Sequence, residues 1–177
     1  MAGLLEGQKV LVFIEDGYED LEFWVTVMRL REEDADVTVV GPEAKSGYTG
    51  KNGLKATSDK AASDVSADEF DIVVVPGGWA PDKLRRYESV TALVRAAFDQ
   101  GKTVGLICHA GLVGISAGIV EGKRATGSLG IKDDLVNAGA TWVDEPAFND
   151  GNIVWGRVVE DIPAFCRELV AYAASRS

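Results

Sequence analysis

Thr103-Val104-Gly105-Leu106-Ile107-Cys108-His109-Ala110-Gly111 runs from an apolar segment directly into a cysteine, a histidine and two small residues. A nearly continuous apolar run of this length reads as a strand covered on both faces, as in a parallel sheet held between helix layers. Ala110 and Gly111 permit a tight turn into a helix. The stretch therefore predicts a strand, a sharp turn and a helix that carry Cys108 as a nucleophile elbow. Gly105 before it and Gly111 after it follow the logic of Gly-x-Ser-x-Gly at a looser spacing. Such a turn lifts the sulfur to the carboxyl edge of the sheet. The positive end of the following helix is expected to lower its pKa and supply a thiolate near neutral pH.

Three further runs resemble the first part of this stretch: Val10-Leu11-Val12-Phe13-Ile14, Val37-Thr38-Val39-Val40 and Ile72-Val73-Val74-Val75. Helical spacing fills the gaps, with Leu21, Trp24, Val25 and Met28 after the first run and Val90, Leu93, Val94, Ala97 and Phe98 before the Cys108 strand. Both sets are expected to pack on the sheet. Strand and helix alternating in this way predict an α/β fold, a doubly wound, mainly parallel sheet flanked by helices in the flavodoxin-like manner. Turn residues at Gly41-Pro42, Gly47, Gly50 and Asn52-Gly53 predict a small hairpin between residues 41 and 70. Beyond the elbow the sequence predicts a helix over about 109–118, a turn at Gly122, a helix through Lys132 to Asn137, short strands around 141–156 and a last helix from Asp161.

The chain has 177 residues, 46% of them hydrophobic, which suits a single domain over residues 1–177. It contains no run of about 18 apolar residues, and its N-terminus lacks a basic flank before an apolar stretch, so a soluble cytoplasmic protein is expected. A net charge of −10 opposes nucleic acid and anionic membranes as partners. The densest cationic group, Lys83, Arg85 and Arg86, reads as a solvated helix face.

The two cysteines differ in kind. Cys166 falls in the apolar stripe of the last helix with Ile162, Phe165, Leu169, Val170 and Ala173, where a thiol acts as a small hydrophobe. Cys108 instead ends a strand beside His109, the sole histidine of the chain. An imidazole there can carry protons in acyl transfer. One histidine and two separated cysteines do not make a zinc site, so no metal is expected.

With these residues in place the sequence resembles the ThiJ/PfpI family, of the class I glutamine-amidotransferase-like fold, and most of all its PfpI branch of intracellular peptidases. The motifs are Asp16-Gly17-Tyr18-Glu19-Asp20-Leu21-Glu22, Val75-Pro76-Gly77-Gly78-Trp79-Ala80-Pro81-Asp82, Ile107-Cys108-His109, Gly130-Ile131-Lys132-Asp133-Asp134 and Asn137-Ala138-Gly139. The resemblance implies that Cys108 is the nucleophile and that Glu22 is the acid hydrogen-bonded to its sulfur. Such a pair works only if it shares a proton, the carboxyl staying protonated beside S⁻. It implies an oxyanion hole at Gly77, Gly78 and His109. It implies also a triad completed through His109 by an acid from a neighbouring subunit. Asp82 holds that acid's position where relatives usually carry Glu, and Ala110-Gly111 stands where close relatives often carry Gly-Pro.

The activity implied is thiolate attack on the carbonyl of a peptide or small-molecule substrate, without a cofactor, in a homo-oligomer (dimer or hexamer). Peptidase or amidase action and glyoxalase or deglycase action both fit that chemistry. A redox sensor or stress-protective protein of little turnover also fits, because an exposed low-pKa thiolate oxidises readily. A flavodoxin-like nucleotide-binding module fits poorly: no Gly-x-Gly-x-x-Gly follows the first strand, and Asp16, Glu19, Asp20 and Glu22 would repel a phosphate.

Overall fold

A computed structural model describes residues 2–176. In chain order the elements are β1 (Lys9–Phe13), α1 (Asp20–Glu32), β2 (Asp36–Gly41), β3 (Gly47–Thr49), β4 (Lys55–Thr57), β5 (Lys60–Ala61), β6 (Ile72–Val75), α2 (Ala80–Leu84), α3 (Glu88–Asp99), β7 (Thr103–Ile107), α4 (Gly111–Ser116), β8 (Arg124–Ala125), α5 (Lys132–Asn137), β9 (Thr141–Trp142), β10 (Ala147–Asp150), β11 (Ile153–Gly156) and α6 (Ile162–Ala174).

Seven strands form one sheet in the order β10-β11-β7-β6-β1-β2-β5, parallel except where β10 meets β11. The four apolar runs are its centre. Strands β6 and β7 are buried at every residue and β1 at all but Lys9, as a sheet covered on both faces requires. The predicted hairpin is β3 and β4, antiparallel in the register Gly47↔Thr57.

Helices α3 and α6 bury the stripes that their spacing predicts, Val90, Leu93, Val94 and Ala97 on the first and Ile162, Phe165, Cys166, Leu169, Val170 and Ala173 on the second. Helix α1 does not. Phe23, Val27 and Leu30 face the core together with Glu22 and Thr26, whereas Leu21, Val25 and Met28 are 48%, 39% and 59% exposed. The physical reason is that α1 is apolar on two faces at once. Residues 21, 24, 25 and 28 and residues 23, 27 and 30 both recur at helical spacing, so the period fixes the helix but not its rotation. The observed rotation turns Glu22 inward.

The parallel strands point their carboxyl ends at one edge of the sheet, where α1, α2 and α4 begin. A cleft of about 470 Å³ at the opposite edge is lined by Gln8, Asp71, Lys102 and neighbouring residues. That edge holds the amino ends of β1, β6 and β7 and none of the cysteines. Ligands in open α/β sheets bind at the carboxyl edge instead.

Candidate active site

Strand β7 ends at Ile107, and the chain turns at once through a single 3₁₀ turn over Cys108–Ala110 into α4. The turn requires Cys108 to adopt φ of +60°, a left-handed conformation that costs a residue with a Cβ about 1–3 kcal/mol. The surrounding structure pins it. Ser128 N donates to Cys108 O at 3.3 Å. Gly127 lets that carbonyl in, since a Cβ on Gly127 would stand 2.6 Å from it. Gly105 plays a different part from the one its spacing suggests. A Cβ there would press on Phe165 and Leu169 at 3.2 Å, so its role is to let α6 lie close on β7.

The carboxyl of Glu22 reaches the elbow from the first turn of α1. Glu22 is fully buried, and its Oε2 accepts the N–H of Gly77 at 2.7 Å. Its Oε1 has no hydrogen-bond partner among the described residues, and the carboxyl as a whole interacts with the Cys108 thiol. Gly77 must lack a side chain for this meeting to occur, because a Cβ would sit 2.8 Å from that of Cys108 and would overlap Glu22 Oε2. Gly78 follows with φ of +80°, stitched to the 17–19 loop by Trp79 N donating to Gly17 O at 2.8 Å and by a bridge to Tyr18.

This corrects one member of the expected oxyanion hole. The Gly77 N–H is committed to Glu22, so it is not a donor free for substrate. The N–H groups of Gly78 and His109 are the ones directed at the Cys108 sulfur.

The protonation of the pair also departs from the expected low-pKa thiol. Burial pushes the Glu22 carboxyl up to about 8, with the Gly77 N–H pulling the other way. Burial likewise pushes the Cys108 thiol up, to about 12, and an ionised Glu22 adds like-charge repulsion; the Gly78 and His109 N–H groups oppose both. The helix end is too short a counterweight for a sulfur so enclosed. Protonating Glu22 removes the repulsion and turns its hydroxyl into a donor toward sulfur, which favours S⁻ beside a protonated carboxyl.

His109 places Nδ1 3.3 Å from the Cys108 sulfur. Burial first, and the Lys51 charge second, hold its pKa below the ordinary imidazole value, which favours the neutral ring. Asp82 is not brought to this histidine within the chain. It lies exposed on α2 and pairs with Arg86, just past the end of that helix.

The sulfur and imidazole open into a cavity of about 270 Å³ lined by Lys51, Gly78, Trp79, Cys108, His109, Ser128, Val158, Val159 and Glu160. Lys51, Ser128 and Glu160 had no signal in the sequence to link them to the elbow. They come from the hairpin tip and from loops far along the chain, and only the fold gathers them.

An α/β fold that presents a cysteine on a left-handed elbow, against a buried carboxyl and beneath two inward N–H groups, defines a class of cysteine-centred α/β proteins. Comparison with known families places the chain within it: the DJ-1/PfpI family profile matches residues 8–172, and the chain belongs to that family. It is 41% identical over 162 residues to a protein of Pyrococcus abyssi named a deglycase, which covers 92% of this chain and 97% of the relative. It is 38% identical over 161 residues to YraA of Bacillus subtilis, named a candidate cysteine protease, with 91% and 95% covered. Among solved structures, a two-domain protein of Anabaena variabilis with DJ-1/ThiJ/PfpI-like and ferritin-like domains superposes with a TM-score of 0.92 at 37% identity. That match covers 93% of this chain and 48% of the other, so this chain spans about half its length. No helix among the described residues is long and apolar enough to cross a membrane.

Proposed function

We propose that the protein is a cysteine enzyme that attacks small carbonyl compounds and glycated adducts, in the manner of a deglycase or glyoxalase. The observation that carries this is the meeting of Cys108 and Glu22 at the floor of a small cavity beside His109. The sulfur of the S⁻ form adds to the carbonyl carbon, a C–S bond forms, and the π pair moves to oxygen. The N–H groups of Gly78 and His109 receive that oxyanion. His109, neutral and within reach of sulfur, moves protons between the adduct and water. Conversion of methylglyoxal to lactate adds one water and is redox-neutral overall, so the residues described suffice for the proton inventory.

A second reading, hydrolysis of peptide or amide bonds by the same nucleophile, is supported by the name of the Bacillus subtilis relative. A cavity of about 270 Å³ is smaller than the usual range for drug-sized ligands, which favours the small carbonyl. Self-association belongs to the same reading: the exposed row of Leu21, Val25 and Met28 on α1 suits a second copy of this chain. Asp82 is then read as an acid available to the histidine of a neighbouring copy.

The test is a substrate panel run on wild type, Cys108→Ala and Cys166→Ala, following lactate from methylglyoxal, amine release from glycated amino acids and cleavage of a fluorogenic peptide. Turnover should vanish in Cys108→Ala and persist in Cys166→Ala. Equal losses in the two variants would reject the assignment. Silence of wild type in every assay, with Cys108 taking up oxygen at low peroxide, would favour a redox sensor.

A further inference from the structure

The tip of the β3–β4 hairpin is held unusually firmly for a surface turn. Buried Asp20, at the start of α1, accepts from Asn52 N and Leu54 N, each at 2.8 Å. Tyr18 hydroxyl donates to Leu54 O at 2.7 Å, and Lys51 N donates to Tyr18 O at 2.9 Å. Gly17 N donates to Thr49 O at 2.8 Å on the near side. The elements that fix this tip are the same ones that position Glu22 and Gly78. Lys51 is therefore a fixed part of the site wall, although the turn that bears it is exposed.

Its charge is free. Among the described residues no carboxylate lies within ion-pair distance of the Lys51 ammonium, in a chain of net charge −10. Lys51 lines the Cys108 cavity, and its field lowers the pKa of both His109 and Glu22. Glu160 lines the same cavity. Of the two, Lys51 is the one whose charge is felt at His109. With no ion pair among the described residues, that ammonium is placed to receive one from the substrate.

We propose that Lys51 is the anion anchor of the Cys108 cavity, so that the preferred substrates are small carbonyl compounds bearing a carboxylate close to the carbonyl that sulfur attacks. This rests on Cys108 being the nucleophile, as proposed above. A carboxylate on the substrate would sit between Lys51 and the sulfur, leaving the carbonyl oxygen to the Gly78 and His109 N–H groups. Neutral oxoaldehydes would still react, but without the orienting contact.

Alkylation separates this inference from the reading beneath it. Iodoacetate and iodoacetamide both place a –CH2–I carbon before the Cys108 sulfur, form one C–S bond and release iodide. They differ in whether a carboxylate or an amide accompanies the reacting carbon. The ratio of their rate constants at Cys108 cancels any change in the thiol's own reactivity. Wild type should prefer iodoacetate relative to a small free thiol; Lys51→Gln should lower the ratio about fivefold to tenfold, and Lys51→Arg should keep it. Added salt should narrow the wild-type preference. A ratio equal in wild type and Lys51→Gln overturns the anchor and leaves the nucleophile standing. Failure of both reagents to label Cys108 overturns the nucleophile, and the anchor with it. A matching readout is reversible inhibition by glyoxylate, whose aldehyde carbon the thiolate adds to as a hemithioacetal with no further product; loss of Lys51 should raise its inhibition constant by more than it raises KM for glyoxal.

Discussion

Nδ1 of His109 lies 3.3 Å from the sulfur of Cys108, its neighbour in sequence. Adjacent residues rarely meet in this way on a strand, where successive side chains point to opposite faces. The left-handed turn at Cys108 brings the two together and leaves the other flank of the sulfur to Glu22. One side of the nucleophile thus has a neutral imidazole and the other a carboxyl that keeps its proton.

Glu22→Gln tests that division. The folded state holds Glu22 protonated up to about 8, whereas the exposed carboxyl titrates near 4.5. Between those values the native state binds the proton that the unfolded chain releases, so stability falls as pH rises through the window and is highest below it. At about 1.4 kcal/mol per unit, the loss amounts to several kcal/mol at most. Urea midpoints measured across the window should fall less steeply with pH in Glu22→Gln. The thiol absorbance of the variant should titrate below the position set in wild type by an ionised Glu22. An unchanged stability slope would show that Glu22 is not the buried proton holder.

Gly77→Ala should separate the site from the fold. A Cβ there meets Glu22 and Cys108, so the carboxyl must leave its Gly77 hydrogen bond or the elbow must shift. We expect a loss of about 1–3 kcal/mol, by overpacking, and a fall in turnover of at least about a hundredfold from nucleophile displacement. Gly47→Ala, open on all sides, should change neither by much. Thermal melts and initial rates on the two variants check both parts.

Met28→Glu puts a charge into the exposed apolar row of α1. If a second copy covers that row, sedimentation velocity should show a smaller species for the variant than for wild type at equal concentration. Identical profiles would place any self-association elsewhere. Folding should be unaffected, since Met28 faces away from the core.

The sheet was legible because its central strands are apolar without interruption, and α3 and α6 were legible because each has one apolar stripe. Helix α1 was legible as a helix but not in rotation, for it offers two stripes, and the choice between them decides whether Glu22 is solvent-facing or at the sulfur. The resemblance, not the periodicity, pointed to Glu22. The place of Cys108, at the end of a buried strand and the start of a tight turn, could be read from the apolar run before it. Its pKa could not, because the turn that exposes a nucleophile to helix N–H groups also surrounds it with core, and only coordinates weigh the two. Lys51 falls between the turn residues Gly50 and Asn52-Gly53 and carries no local signal of its own. Nothing local shows that Asp20 grips that turn.

The positive φ at Cys108 has a consequence for anyone judging variants by yield. A residue held against its own backbone preference contributes chemistry at the expense of ruggedness, and glycine at that point would relieve the torsional load while removing the sulfur. Inactive forms altered there can thus express well and melt late, and a soluble preparation is no sign of a working one.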